Sequence, residues 1–346
     1  MEEKIHVNED GWPLDKSQYE IIKQIGSGAF GKVYSAKCNY NNYLVAIKIL
    51  DIYANDFDEI KGEIRTMKLI KNDNVLELFC SFVENTNLWL IMPLMDMGSA
   101  IGFVKKNNCK LSEPIIAYII KNVLLGLEYI HQQNFIHRDV KGGNILINSD
   151  GTIVLSDFGV SAYLDVHECD SHNTFVGSPW WMAPEVIKRE NYDNKIDIWS
   201  LGITTLELFI GKPPNNDLDP MSAIRKTVLD ISPTIESYKE ISKKGSPALN
   251  NFISKCLQKN SSLRPTAKEL LLDPFIKNAI QKKDFIKLLK PDNIDINNNN
   301  ISLDTTSGSL NTEWIFPEDK KIEEKKDIFD DEFIKMINEL NDDVKL

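Results

Sequence analysis

The sequence predicts an α+β chain, and three local patterns predict it. Gly26-Ser27-Gly28-Ala29-Phe30-Gly31 is followed at 32–38 by a β-branched and aromatic stretch that includes Val33. An Asn-rich turn at 39–42 then leads into a second apolar stretch at 43–50, so the two stretches read as a β-hairpin. Residues 56–71 carry Phe57, Ile60, Ile64 and Met67 at intervals of three and four, the period of an amphipathic helix.

The glycine run has two readings. G-x-G-x-x-G opens dinucleotide-binding folds, but there a helix must follow with its N-terminus aimed at the pyrophosphate. Here a hairpin follows, so the glycines cap a strand–turn–strand flap whose backbone can approach phosphates without a Cβ clash. Val45-Ala46-Ile47-Lys48 places a cation in the middle of an apolar strand. A buried cation needs anionic partners. Phosphates are one partner and a helix carboxylate is the other. Asp56 and Glu59 resemble a capping box, which favours Glu63, on the edge of the apolar stripe, as the carboxylate for Lys48, with Glu59 one turn earlier as the competing candidate. Gly62 in this helix costs about 1 kcal/mol relative to alanine and should keep it easy to displace.

Two further segments carry chemistry: His137-Arg138-Asp139-Val140-Lys141-Gly142-Gly143-Asn144 and, after a short strand, Asp157-Phe158-Gly159. Phosphoryl transfer requires a base or orienter for the attacking hydroxyl, metal ligands near it and cations on the phosphates. Asp139 can take the first role, Asn144 and Asp157 the second, and Lys141 part of the third. A lone Asp or Asn is usually a cap or turn residue; two motifs in this order and spacing are not.

With these motifs on the page, residues 19–275 resemble the eukaryotic protein kinases. Ala183-Pro184-Glu185, Asp197-Ile198-Trp199-Ser200-Leu201-Gly202 and Arg264-Pro265-Thr266 extend the resemblance. It implies a bilobal fold: a small, antiparallel β-rich N-lobe with one helix (19–92), a hinge (93–99) and a larger, mainly helical C-lobe (100–275), with ATP between the lobes. It implies Mg²⁺, with Mn²⁺ as the alternative, on Asn144 and Asp157, and a Glu185–Arg264 ion pair. The nucleotide contacts it implies are Gly26, Ser27, Gly28, Ala29, Phe30, Gly31, Val33, Ala46, Lys48, Met92, Pro93, Met95, Ser99 and Leu146, besides Asn144 and Asp157. Met92 resembles the gatekeeper. Pro93 has no N–H but keeps its carbonyl, and Met95 keeps its N–H, so both adenine contacts survive.

The resemblance also implies substrate and control. Lys141, two residues after Asp139, is typical of serine/threonine kinases, and Ser178 would bridge Asp139 and Lys141. Residues 173–185 resemble the sterile-20 group in its germinal-centre-kinase half. Residues 256–259 and 264–271 are similar to the oxidative-stress-responsive branch. The ordinary glycine loop, with Gly31 and Lys32, departs from that branch, and residues after 290 are too few for its peptide-docking domain. Arg138 implies regulation: its buried guanidinium wants an anion, and phospho-Thr174 would supply one. An upstream kinase or trans-autophosphorylation would place that phosphate. His167, Cys169 and His172 lack a fourth ligand and read as incidental rather than a zinc site.

Composition fits a single catalytic unit with extensions: 1–18 at the front, a basic helical extension at 276–290, an Asn-rich linker at 291–311 and an acidic tail at 312–346. Of the formal charge of −11, residues 291–346 hold −9, from 15 acidic and 6 basic side chains. Nothing here argues for nucleic-acid binding. No run approaches 18 apolar residues, no apolar leader opens the sequence, and five cysteines are too scattered for a disulfide framework. A cytoplasmic protein, monomeric or weakly dimeric, is expected. Trp314, Ile315, Phe316 and Pro317 form an apolar cluster in the tail, and Phe329, Phe333, Ile337 and Leu340 recur at helical spacing. The tail reads as a docking element for the chain's own lobes or for an adaptor. The competing class is a pseudokinase scaffold. Such a chain normally loses Lys48, Asp139 or Asp157 equivalents, and all are present here.

Overall fold

Five antiparallel strands in the order β1-β2-β3-β5-β4 form the first sheet of the computed structural model: β1 (Tyr19–Gly28), β2 (Gly31–Cys38), β3 (Leu44–Asp51), β4 (Cys80–Glu84) and β5 (Asn87–Pro93). The structure describes residues 5–28, 31–52, 64, 65, 67–108, 111–157, 162, 163, 177–238 and 245–289. Ala29, Phe30, Glu63, Thr174 and the tail after 289 lie outside them, so the Lys48–Glu63 pair and the Thr174 phosphosite do too. The chain divides into a small unit, up to Lys68 plus Glu77–Leu94, and a large unit, Leu69–Leu76 plus Met95–Asn293.

In the small unit the hairpin β2–β3 aligns Val33 with Lys48, and β5 aligns Leu90 with Lys48 and Met92 with Ala46. Strand alternation sends Ala36, Cys38, Val45 and Ile47 into one apolar core with Tyr19, Cys80, Phe82, Trp89 and Ile91. The front segment completes that core. Asn8 accepts the Trp12 N–H on its Oδ1 (2.7 Å) and donates Nδ2 to the Phe79 carbonyl (2.9 Å). The resulting turn stacks Trp12 on Phe79 with ring centroids 4.1 Å apart. Residues 5–18, with no role legible in sequence, thus roof the sheet. The buried Tyr19 hydroxyl donates to the Pro13 carbonyl at 2.8 Å and pins this roof. Tyr19→Phe keeps the ring and leaves that carbonyl only the weaker Cys80 Sγ donor at 3.6 Å. It should lower stability by about 1 kcal/mol, seen as a lower denaturant midpoint at unchanged slope. An unmoved midpoint would show that the roof is held by packing alone.

The large unit is helical: α1 (Ala100–Lys106), α2 (Glu113–Gln132), α3 (Pro184–Ile187), α4 (Lys195–Ile210), α5 (Pro220–Leu229), α6 (Pro247–Cys256), α7 (Ala267–Leu270), α8 (Pro274–Lys277) and α9 (Lys282–Leu289). Short strands β6 (Gly98–Ser99), β8 (Ile145–Ile147) and β9 (Ile153–Leu155) form one sheet, and β7 (Phe135–Ile136) pairs with β10 (Ala162–Tyr163). Gly98 and Ser99, read from sequence as the end of a hinge, pair with Ile147 and Leu146. Ser99 Oγ also accepts the Gly102 N–H at 3.2 Å, so this side chain serves as the N-cap of α1.

Helix α4 is the axis of the unit. Every residue from Ile196 to Ile210 is buried, which a helix tolerates only when covered on all sides. Gly202 lets α6 approach: a Cβ there would stand 2.7 Å from Cys256 Cβ. Gly211 ends the helix in the left-handed region at φ +98°. In α9, Phe285 is fully buried and packs against Phe103 of α1 and Tyr118 of α2 at 5.9 and 4.8 Å.

Candidate active site

The site grows out of one buried carboxylate in the first turn of α4. Asp197 accepts the backbone N–H groups of His137 and Arg138, each at 2.9 Å, and stands 2.8 Å from His131 Nε2. Burial pushes its carboxyl up, but the His131 hydrogen bond and neighbouring positive charge outweigh this, leaving it below the ordinary carboxylate range. The ionised Asp197 therefore suspends the loop after β7 from the central helix. It also explains the backbone of Arg138, at φ +70° in the left-handed region. Two N–H groups converging on one carboxylate hold that conformation against its steric cost.

His137 is fully buried, and burial lowers its pKa, so the imidazole is neutral. Its Nδ1 accepts the Asp139 N–H (3.2 Å), and Nε2 then carries the proton toward the Ser156 carbonyl (3.1 Å). This fixes Asp139. Lys141 Nζ reaches Asp139 Oδ2 at 2.7 Å, and Asn144 Nδ2 reaches the same oxygen at 2.8 Å. Oδ1 accepts Ser178 Oγ at 2.7 Å and the Ser178 N–H at 3.1 Å. Lys141 Nζ also donates to Ser178 Oγ at 2.7 Å. Asp139 is only 8% exposed. Burial raises its pKa, yet the Lys141 ammonium and the hydrogen bonds from Lys141 and Ser178 prevail and hold it below the usual range. Asp139 is thus an ionised carboxylate at neutral pH.

Asn144 and Asp157 are linked through the backbone. The Asn144 carbonyl accepts both the N–H and Oγ of Ser156 (2.8 and 2.9 Å), and Asp157 follows at φ +69°. Ser178 comes to Asp139 because Gly177 allows it. At φ +108°, Gly177 lies so close to the Arg138 carbonyl that a Cβ would stand 2.6 Å from its oxygen. Beyond Ser178, Glu185 and Arg264 form a bidentate pair at 2.5 and 2.8 Å. The Arg138 guanidinium lies 5.5 Å from the centre of the Tyr192 ring.

The described residues that the sequence reads as a phosphate flap belong to the small unit. Gly31, at φ +151°, would drive a Cβ to 2.3 Å from the Ile49 carbonyl oxygen, so no other residue fits. Gly26 and Gly28 lie on β1, Ser27 between them; Val33, Ala46 and Lys48 lie on β2 and β3, and Met92 and Pro93 on β5. Met95, Ser99 and Leu146 belong to the large unit. The sequence reading missed Glu207. This carboxylate, 4% exposed, accepts the Gly142 N–H at 2.8 Å and the Trp181 indole N–H at 3.2 Å. Its signal is a lone charge in residues 198–210, the largely apolar remainder of α4 after Asp197, which is costly unless it has a task.

Comparison with known proteins agrees with this geometry. The protein kinase domain profile matches residues 19–276. Serine/threonine-protein kinase sid1 of Schizosaccharomyces pombe is 40% identical over 80% of this chain and 58% of its own length. Serine/threonine-protein kinase fray2 of Dictyostelium discoideum is 39% identical over 88% of this chain and 32% of its own. Germinal center kinase 3 of Caenorhabditis elegans is 38% identical over 81% and 50%. The chain therefore spans a third to three fifths of these relatives. Among the described residues no helix is long and apolar enough to cross a membrane. On the match of its domain and the relatives it shares, the chain belongs to the protein kinase family, among serine/threonine kinases of the sterile-20, germinal-centre type.

Proposed function

We propose that this chain transfers the γ-phosphoryl group of ATP to serine or threonine hydroxyls of protein substrates, with Asp139 as the base that orients and deprotonates the hydroxyl. The observation that carries this reading is the four-way clamp on Asp139. Lys141, Asn144 and both donors of Ser178 hold an ionised carboxylate in one orientation. Such a group can accept a proton from an aligned hydroxyl, and a carboxylate fixed in advance spends no energy reorganising. Lys141 Nζ, between Asp139 and Ser178, supplies positive charge beside the developing negative charge of the phosphoryl group.

Asn144 and Asp157 offer oxygen donors, which fit a hard divalent cation such as Mg²⁺. That ion would neutralise charge on the phosphates. Gly26, Gly28, Gly31 and Lys48 would hold the phosphates, and Met92, Pro93 and Met95 the adenine. Transfer of ³²P from ATP to a generic threonine-bearing protein, with Asp139→Asn as the paired control, tests the reading. Signal in the wild type that the control loses supports it; equal signal in both overturns it.

Regulation rests on Arg138. Burial lowers its pKa, disfavouring the charge, and the Tyr192 ring and Asp197 act against that. A phosphate on Thr174 would add an anion that can pair with Arg138. Thr174→Ala should therefore reduce fully activated transfer by about 10- to 100-fold, the worth of one or two charge-assisted hydrogen bonds. Full activity in that variant would remove Thr174 from the scheme. A cytoplasmic setting, an adaptor on the acidic tail and signalling as the context belong to the same proposal.

A further inference from the structure

We propose that residues 313–319 of the tail dock into a cavity beside the turn that follows Ser178, and from there keep protein substrates away from Asp139. The inference rests on the functional reading above and gives the tail a seat on the large unit. The cavity holds about 520 Å³, within the range of sites that take a ligand. Trp180, Ile203, Pro214 and Tyr238 supply its apolar wall. Helix α5 borders it with Ala223, Lys226 and Thr227, and the solvent side of that helix carries Met221 and Leu229, both exposed. Ile231, just past the helix, also lines the cavity and is 89% exposed. Apolar side chains left in water singly need no explanation, but three grouped at the rim of a cavity mark a docking surface.

One wall of the cavity belongs to the catalytic neighbourhood. Trp180 lies in the 3₁₀ turn Pro179–Trp181 that follows Ser178, and its indole N–H donates to the Asn215 carbonyl at 3.0 Å. Ser200 Oγ of α4 holds the same turn by donating to the Trp181 carbonyl at 2.8 Å. The turn is thus fixed from two sides. A group seated against Trp180 covers ground next to the Ser178–Asp139 bonds without having to deform them. A protein substrate must bring its hydroxyl to that place, so seated tail and substrate compete.

Charge and tether choose the occupant. Lys212 and Lys226 line the cavity, and Arg225 is exposed on α5 beside Lys226. Asp217 and Asp230 line it too, but the Lys259 ammonium acts on Asp230, so cations prevail. Residues 313–319, Glu-Trp-Ile-Phe-Pro-Glu-Asp, set three acids and no base around Trp314 and Phe316. Two aromatic side chains with that charge are suitable anchors for an apolar cavity with a basic rim. Trp314 lies 25 residues beyond Leu289, the end of α9. Fully extended, that tether spans about 80 Å. The expected radius of gyration of a unit spanning Met95–Asn293 is about 16 Å, so the cavity is within reach. A tether of this length supplies an effective concentration on the order of 1 mM. An intrinsic dissociation constant of about 0.1 mM then keeps the seat occupied roughly ten times out of eleven. An adaptor that takes the tail would open the site.

The test uses the full chain with p-benzoylphenylalanine in place of Phe316, irradiated in dilute solution and mapped by mass spectrometry. Cross-links within one chain to the cavity wall are expected. Adding Lys226→Glu and Ile231→Ser, both on the exposed rim and harmless to the core, should weaken docking about tenfold each and cut those cross-links by roughly tenfold. In a separate Trp314→Ala, Phe316→Ala protein, KM for a protein substrate should fall about tenfold, with kcat and KM for ATP unchanged. Cross-links to the small unit, cross-links to a second copy of the chain, or none at all overturn the proposal. So does an unchanged substrate KM in the alanine variant. Cross-linking needs no turnover, so a wild type without activity would sink the functional reading and leave the seat of the tail decided by the cross-links.

Discussion

Asp139→Asn should lower phosphoryl transfer about 10²- to 10⁴-fold, the usual worth of a positioned base, while the protein stays folded. The substitution is nearly isosteric, and its consequences follow from the donors around the carboxylate. Lys141 Nζ and Asn144 Nδ2 both point at Oδ2, so the amide carbonyl must take that position. The new NH₂ then faces Ser178, where Oγ can accept it but the Ser178 N–H loses its partner. One backbone donor left without an acceptor costs about 1–3 kcal/mol, which the fold can absorb. Activity should vanish with a modest drop in melting temperature and little change in nucleotide affinity, because Asp139 is not among the residues proposed to hold phosphates. A variant that retains a tenth of wild-type activity would move the base elsewhere. The acidic limb of the rate profile carries related information. Lys141 and Ser178 hold the Asp139 carboxyl below the ordinary range, so protonation of Asp139 cannot set a limb near neutrality. A limb there must come from a group such as Glu207, whose burial moves it the other way.

What could be read from sequence divides along a physical line. Groups whose spacing is local were legible. The loop from His137 to Asn144 spans eight residues, and the structure brings Lys141 and Asn144 to 2.7 and 2.8 Å from the same oxygen of Asp139. The hairpin β2–β3 was legible because strand period and an Asn-rich turn agree. Ser178 and the Glu185–Arg264 pair were named through resemblance, since a contact over 39 or 79 residues leaves no periodic trace. What escaped is the scaffolding underneath. Asp197 shows no role in its motif, although it holds the backbone of His137 and Arg138. Glu207 escapes because residues 198–210, a largely apolar stretch whose single charged side chain it is, read as core. The front segment reads as a mere extension, because Asn8 and Trp12 make their contacts to Phe79, some 70 residues away. Each miss is a non-local partner for a buried polar or aromatic group. A rule follows for other chains of this kind: an acidic residue inside a fully buried helix marks a backbone anchor before it marks an error.

Arg264→Met should destabilise the protein by about 3–5 kcal/mol, the cost of removing one partner from a buried ion pair. Arg264 is 1% exposed, and its guanidinium is shared out almost completely. Nε donates to the Gln258 carbonyl at 2.8 Å, Nη1 to Glu185 and the Lys195 carbonyl at 2.5 and 3.0 Å, and Nη2 to Glu185 at 2.8 Å. The plane also lies 5.2 Å from the Trp199 ring centre. Methionine fills much of the volume and satisfies none of these acceptors, so a buried carboxylate and two carbonyls are left unpaired. For a domain of this size each kcal/mol moves the melting temperature by about 2–4 °C, so a fall on the order of 10 °C is expected. The double variant Glu185→Gln, Arg264→Met separates charge from packing. With the carboxylate gone, the remaining deficit is carbonyls and an amide, and it should recover a good part of the loss. Equal destabilisation of single and double variants would mean that Arg264 acts mainly through its backbone acceptors and Trp199. Activity provides the second reading. Glu185 opens α3 only seven residues beyond Ser178, so the pair anchors the far end of the segment that reaches Asp139. At a temperature where Arg264→Met remains folded, transfer should still fall, with KM for the protein substrate rising more than KM for ATP. A loss confined to stability would show that the anchor serves the fold and leaves the position of Ser178 to Gly177, Ser200 and Glu207.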